Sequence, residues 1–179
     1  MTAPAATPNL SYPIGQFKYE GPYGEEQRKR FIEEIAAAPG RMRAAVHGLR
    51  DSQLNTAYRP GGWTVRQVVH HIADSHINAY VRVKLALTEP NPTIKPYNER
   101  LWADLADMQG PVETSLVLLE AVHHRWVAVL RAMTPQQFEW KLKHPESGEM
   151  TLDQLVALYA WHGQHHVAHV TSLRKRMNW

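Results

Sequence analysis

Four stretches of this 179-residue chain repeat apolar side chains at three- and four-residue spacings, and no series of alternating strands accompanies them. That pattern constrains the fold more than any other feature. An amphipathic helix must bury its stripe, and here only other helices are available to bury it against. The first stretch begins near Glu25 and carries Phe31, Ile35, Met42, Val46 and Leu49; Pro39-Gly40 interrupts it and predicts a kink or break. The second spans about residues 65–87 and opens on Thr64-Val65-Arg66-Gln67, a capping box in which Thr and Gln satisfy each other's backbone N–H groups. The third follows Pro111, a residue suited to a first helical turn, with Leu116, Leu119, Val122, Trp126, Val129 and Met133 as its stripe. The last opens on a second capping box, Thr151-Leu152-Asp153-Gln154, and reaches about Arg176. The intervening residues read as connections: 55–62, the proline-rich 88–111 with a short helix near 98–105, and 134–150 with a turn around residues 144–148. Residues 1–24 read as an extended arm and residues 25–179 as one all-α domain, a four-helix bundle. The length is ample for a core of its own.

Composition narrows the chemistry. The chain has no Cys, which excludes disulfides, thiolate metal sites, iron–sulfur clusters and a cysteine nucleophile. A net charge of +3 is only mildly basic, so no nucleic-acid partner is expected; Arg174-Lys175-Arg176 reads as a favourable cationic helix end. The first ten residues lack a basic segment followed by an apolar one, and no apolar run is long enough for a membrane span, so a cytoplasmic protein without a membrane partner is expected.

The eleven histidines ask for an explanation. Seven fall in two of the helical stretches: His70, His71 and His76 in the second, and His162, His165, His166 and His169 in the last. His162/His166 and His165/His169 are spaced i,i+4, so each pair stacks on one helix face, as two imidazoles must to reach one metal ion. At about 100° per residue, His162 and His166 lie inside the apolar stripe of the last helix, and His169 and His165 fall progressively towards its flank. In the second stretch His71 lies about 100° from the apolar direction and His70 about 160°, while His76 falls nearest to it. Angles alone leave His71 and His76 both open as a third ligand. His47, His123 and His124 read as surface or cap residues, and His144 stands apart from the clusters. Several imidazoles on one buried stripe cost desolvation and repel when protonated, and a divalent cation would compensate both.

Several segments together carry a family resemblance: Tyr12-Pro-Ile-Gly-Gln-Phe17, Gly62-Trp-Thr-Val-Arg-Gln-Val-Val-His-His-Ile-Ala-Asp-Ser-His76, Leu85-Ala-Leu-Thr-Glu89, Pro92-Thr-Ile-Lys-Pro-Tyr97 and Tyr159-Ala-Trp-His-Gly-Gln-His-His-Val-Ala-His169. Over nearly all of its length after the first ten residues the chain resembles the YfiT branch of the DinB-like proteins. The resemblance implies a four-helix bundle of up-down-down-up connectivity, with residues 88–111 as its long crossover. It implies one Zn or Ni per subunit held by three histidines, which fall on His71, His162 and His166, and it is the resemblance that selects His71 over His76. It also implies a metal-dependent hydrolase acting on a small molecule, and a homodimer. Related DinB-like proteins include thiol S-transferases that use bacillithiol or mycothiol, so a low-molecular-weight thiol is an alternative partner, and a non-catalytic metal-binding stress protein is another reading.

Three neutral histidines would leave a metal position open for water or substrate. No dedicated general base is evident. Asp74, one turn after His71, is a candidate that reads first as a surface carboxylate; His165, His169 and His76 are candidates for proton transfer. Gly163 stands directly after His162, where a zincin-type peptidase carries its Glu, so peptidase chemistry of that kind is not expected; the glycine reads as a close helix contact.

Overall fold

Pro39 does not break the first helix. In the computed structural model, which describes residues 9–146 and 148–179, α1 runs unbroken over Glu25–Val46 with Pro39 buried inside it. The expected break is absent, and the carbonyl that loses its helical donor, that of Ile35, is met by a side chain from another helix: His123 Nδ1 lies 2.6 Å away. The remaining elements follow as a short α2 (Asp51–Leu54), α3 (Val65–Thr88), a short α4 (Glu99–Trp102), α5 (Val112–Arg131), a hairpin of β1 (Lys141–His144) and β2 (Gly148–Thr151), and α6 (Leu152–Met177). The part of the expected N-terminal arm over residues 1–8 lies outside the described residues.

The helix ends are built as the side chains dictate. Thr64 Oγ1 accepts the Gln67 N–H at 3.1 Å and Gln67 Oε1 accepts the Thr64 N–H at 2.9 Å, which fixes the start of α3. Thr151 Oγ1 accepts the Gln154 N–H at 3.1 Å and starts α6. The first helix ends at Val46, before Leu49: His47 turns out of the helical region with ψ 131°, and Gly48 follows in the left-handed region with φ +75°.

Each of α1 and α3 packs on both α5 and α6, so chain neighbours among the long helices sit diagonally or cross over. Two apolar clusters reveal the directions. One gathers Ile32 and Ile35 of α1, Ala79 and Val83 of α3, Trp126 and Leu130 of α5, and Leu152 and Leu155 of α6. The other gathers Met42 and Val46, Val65 and Val68, Leu116 and Leu119, and Val170 and Leu173. The first cluster thus meets the N-terminal halves of α1 and α6 and the C-terminal halves of α3 and α5, and the second meets the reverse. The bundle is up-down-down-up. Parallel α3 and α5 require the chain to travel the bundle's length between them, which residues 89–111 do.

The hairpin is a departure from the all-helical expectation. Its strands pair Leu142 with Met150 and Lys143 with Glu149, and Leu142 is buried in the first cluster. It also ties down the crossover: the Ile94 N–H donates to the Lys143 carbonyl at 3.0 Å and the Lys143 N–H to the Pro92 carbonyl at 2.9 Å. Just after the hairpin, Asp153 anchors the arm. This buried carboxylate accepts from Tyr19 Oη at 2.7 Å, the Tyr23 N–H at 3.0 Å and Arg28 Nε at 2.6 Å. Among the described residues no helix is long and apolar enough to cross a membrane.

Candidate metal centre

Between the two apolar clusters the core turns polar, and the polar groups are imidazoles. His71 comes from α3, and His162 and His166 come one turn apart from α6. One ring nitrogen of each lies within 4.8 Å of the other two. The Nε2 atoms of His162 and His166 are 3.2 Å apart. The His71 ring sits 4.8 Å from the His166 ring and 4.5 Å from Trp63, between centroids. His71 and His166 are buried, and His162 is half-buried on the wall of a cavity of about 260 Å³ lined also by Ser75, Arg82, Glu99, His144 and Tyr159.

Burial sets the charge. Desolvation, with neighbouring imidazoles adding to it, lowers the His71 pKa to about 4. The same causes hold His162 and His166 well below the usual imidazole range. All three are therefore neutral near pH 7 and keep lone pairs to donate. The cluster is all nitrogen, convergent and reached by a cavity, and that donor set fits a borderline-soft divalent cation such as zinc or nickel.

The other histidines divide into three kinds. His70, expected to point outward, is buried instead between α3 and α5; its Nδ1 meets Ser115 Oγ at 2.7 Å and its Nε2 donates to the Gly110 carbonyl at 3.2 Å. That satisfied pair makes it a packing residue. His165 stacks on Trp161 with centroids 4.4 Å apart, and His169 stacks on Tyr58 at 3.9 Å and donates from Nε2 to the Ser11 carbonyl at 3.3 Å. Both sit under the arm, beside the cluster. Burial lowers both to a pKa of about 4, and the Nδ1 of each is buried without a partner among the described residues. Asp74 is half-buried rather than a free surface carboxylate; desolvation, with the nearby Asp107 charge, raises it to about 6. Among the described residues no hydrogen bond joins its carboxylate to the cluster.

The third kind corrects the sequence reading most. His123 is not a surface or cap residue: it is 2% exposed, and its Nε2 lies 2.7 Å from His76 Nδ1. His76, fully buried, has its Nε2 3.0 Å from His162 Nδ1. The signal for His123 was in the sequence: Leu119, His123, Trp126 and Leu130 follow each other at four-, three- and four-residue spacings, and these positions, not Val122 and Val129, form the buried stripe of α5.

Gly163 lets α6 approach α1: a Cβ there would stand 3.0 Å from Ala38 Cβ and 3.7 Å from His76 Cε1.

A family model of the DinB superfamily matches residues 34–170. The chain belongs to the DinB superfamily. Within it, proteins of Bacillus cereus and Bacillus thuringiensis are each 55% identical to this chain over 171 residues, covering 96% of it and 99% of their own length. Both are named "Putative metal-dependent hydrolase". The solved structure of YfiT from Bacillus subtilis matches this DinB-superfamily chain with a TM-score of 0.93 at 48% identity, over 96% of this chain and 99% of that one. YfiT is described as a probable metal-dependent hydrolase with an unusual four-helix bundle topology, in line with the parallel α3 and α5 here.

Proposed function

We propose that this protein is a metal-dependent hydrolase that holds one divalent cation, zinc or nickel, through His71, His162 and His166, and acts on a small molecule admitted through the cavity beside His162. The observation that carries the reading is the convergence of three neutral imidazoles, two buried and one half-buried, with no carboxylate among them, next to that cavity. The names of the relatives in the two Bacillus species and of YfiT support the same class of reaction. A cation bound there supplies Lewis acidity and acidifies a bound water. The chain's own contribution is positional. Desolvation keeps the ligand imidazoles unprotonated. Arg82, Ser75 and Tyr159 line the cavity and present hydrogen-bond donors to a polar substrate.

The test uses untagged protein. Elemental analysis is expected to give close to one zinc or nickel per chain, lost in His166→Ala, and hydrolysis of small ester or amide substrates that chelation abolishes. A metal-free native protein overturns the reading. Metal-dependent conjugation of a low-molecular-weight thiol to an electrophile, with no hydrolysis, would reassign the reaction while leaving the metal site in place.

A further inference from the structure

Pro39, His123, His76 and His162 form one continuous polar chain through all four long helices. It starts at a proline. Pro39 has no N–H, so the Ile35 carbonyl of α1, which would accept it, is left without its helical donor between two buried residues, Ile35 and Pro39. His123 Nδ1 of α5 stands 2.6 Å from that oxygen. A carbonyl oxygen can only accept, so Nδ1 carries the hydrogen. In a neutral imidazole the other nitrogen is then bare, and His123 Nε2 must accept. The group facing it at 2.7 Å is His76 Nδ1 of α3, which must therefore be N–H. His76 Nε2 is bare in turn and accepts from His162 Nδ1 of α6 at 3.0 Å. His162 is left with its Nε2 unprotonated, the nitrogen that faces His166 in the three-histidine cluster.

We propose that His76 and His123 are positioning residues that fix the tautomer and ring orientation of His162, with the direction of the whole chain set by the Ile35 carbonyl that Pro39 leaves free. Each link has one consistent direction because its far end is an oxygen that cannot donate. The arrangement resembles a ligand histidine oriented by an outer hydrogen-bond partner, lengthened to three imidazoles and ending on backbone. His162 is distinguished by it: His166 Nδ1 is buried with no hydrogen-bond partner among the described residues. The role rests on the metal-site reading only in its consequence, tighter cation binding. The tautomer pattern is a property of the metal-free protein.

The experiment exploits that separation. Long-range proton–nitrogen NMR of chelator-treated wild-type protein reads imidazole tautomers directly. The expected result is the Nδ1–H form for His123, His76 and His162 together. An Nε2–H form at His123 or His76 overturns the proposal, whatever the protein does with metal. His123→Phe removes the link to the carbonyl. It is expected to release His162 from the pure Nδ1–H form and to weaken zinc affinity, measured against a competing chelator, by about 10- to 100-fold. A His123→Phe protein with the wild-type His162 tautomer and unchanged zinc affinity also overturns it. If His123→Phe does not fold, the wild-type spectrum alone decides. A wild-type protein with all three Nδ1–H tautomers and no zinc affinity refutes the metal-dependent function and leaves the histidine chain established.

Discussion

Replacing Gly163 with alanine measures how firmly α6 is pressed against α1. In an open helix interior the change stabilises by about 1 kcal/mol, because alanine gives up less backbone freedom. Here the added methyl carbon would stand 3.0 Å from Ala38 Cβ, while carbon atoms rest at about 3.5–4.0 Å. Ala38 Cβ cannot rotate aside, since it moves only with its backbone, so the two helices must part by about 0.5–1 Å. Overpacking of that kind costs about 1–3 kcal/mol. The net expectation is a loss of up to about 2 kcal/mol, a melting temperature lower by up to about 4–8 °C in a domain of this size. The decisive measurement is a double-mutant cycle in urea. Ala38→Gly alone is expected to cost about 1 kcal/mol by propensity, and Ala38→Gly with Gly163→Ala returns the missing space, so the pair should be more stable than the sum of the singles by the relieved overpacking, about 1–3 kcal/mol. A Gly163→Ala protein that gains the full propensity benefit, with no coupling to Ala38→Gly, would refute the close approach.

Two further outcomes follow from buried charge. His123 is held at a pKa of about 4 against about 6.5 when unfolded, so below pH 6.5 the unfolded chain binds a proton that the folded one refuses. Stability of the chelated protein is therefore full above about pH 6.5 and declines as the pH falls towards 4, by about 3 kcal/mol for His123 alone. His71 adds to the same slope, and a urea midpoint that stays level between pH 7.5 and 5 would count against the buried neutral imidazoles. Asp153→Ala leaves Arg28 without its 2.6 Å partner and frees Tyr19 and Tyr23; about 3 kcal/mol of stability should be lost, and limited proteolysis should cut the arm before residue 25. An arm as resistant as that of the wild type would show that other contacts hold it.

Much of this was legible in the residues. Apolar spacing located all four long helices, and two Thr-x-x-Gln segments marked the starts of two of them, because a cap is a local interaction written within four residues. The i,i+4 pair His162/His166 was legible for the same reason. What was not legible depended on partners far away in the chain. Pro39 reads as a helix breaker to any local rule; the donor that rescues Ile35 lies 88 residues on. His70 reads as outward until Ser115 and Gly110 are seen to meet it across α5. The hairpin escaped notice because its strands are four residues each and bury only Leu142 deeply, too short a run for alternation to register. His71 and His76 could not be separated by angle, because both are buried: one faces the cluster and the other stands directly behind it.

The pairing of α1 with α6 has a consequence for synthesis. Both apolar clusters draw on the two helices at opposite ends of the bundle's chain order, so neither can close around α1, α3 and α5 alone. The packing of α6 on α1 and α3, which closes both clusters, is therefore postponed until α6 has been made. Since α6 also brings His162 and His166, a growing chain exposes His71 as a solitary imidazole with little hold on any cation, and the centre comes into being only in the same event that completes the bundle.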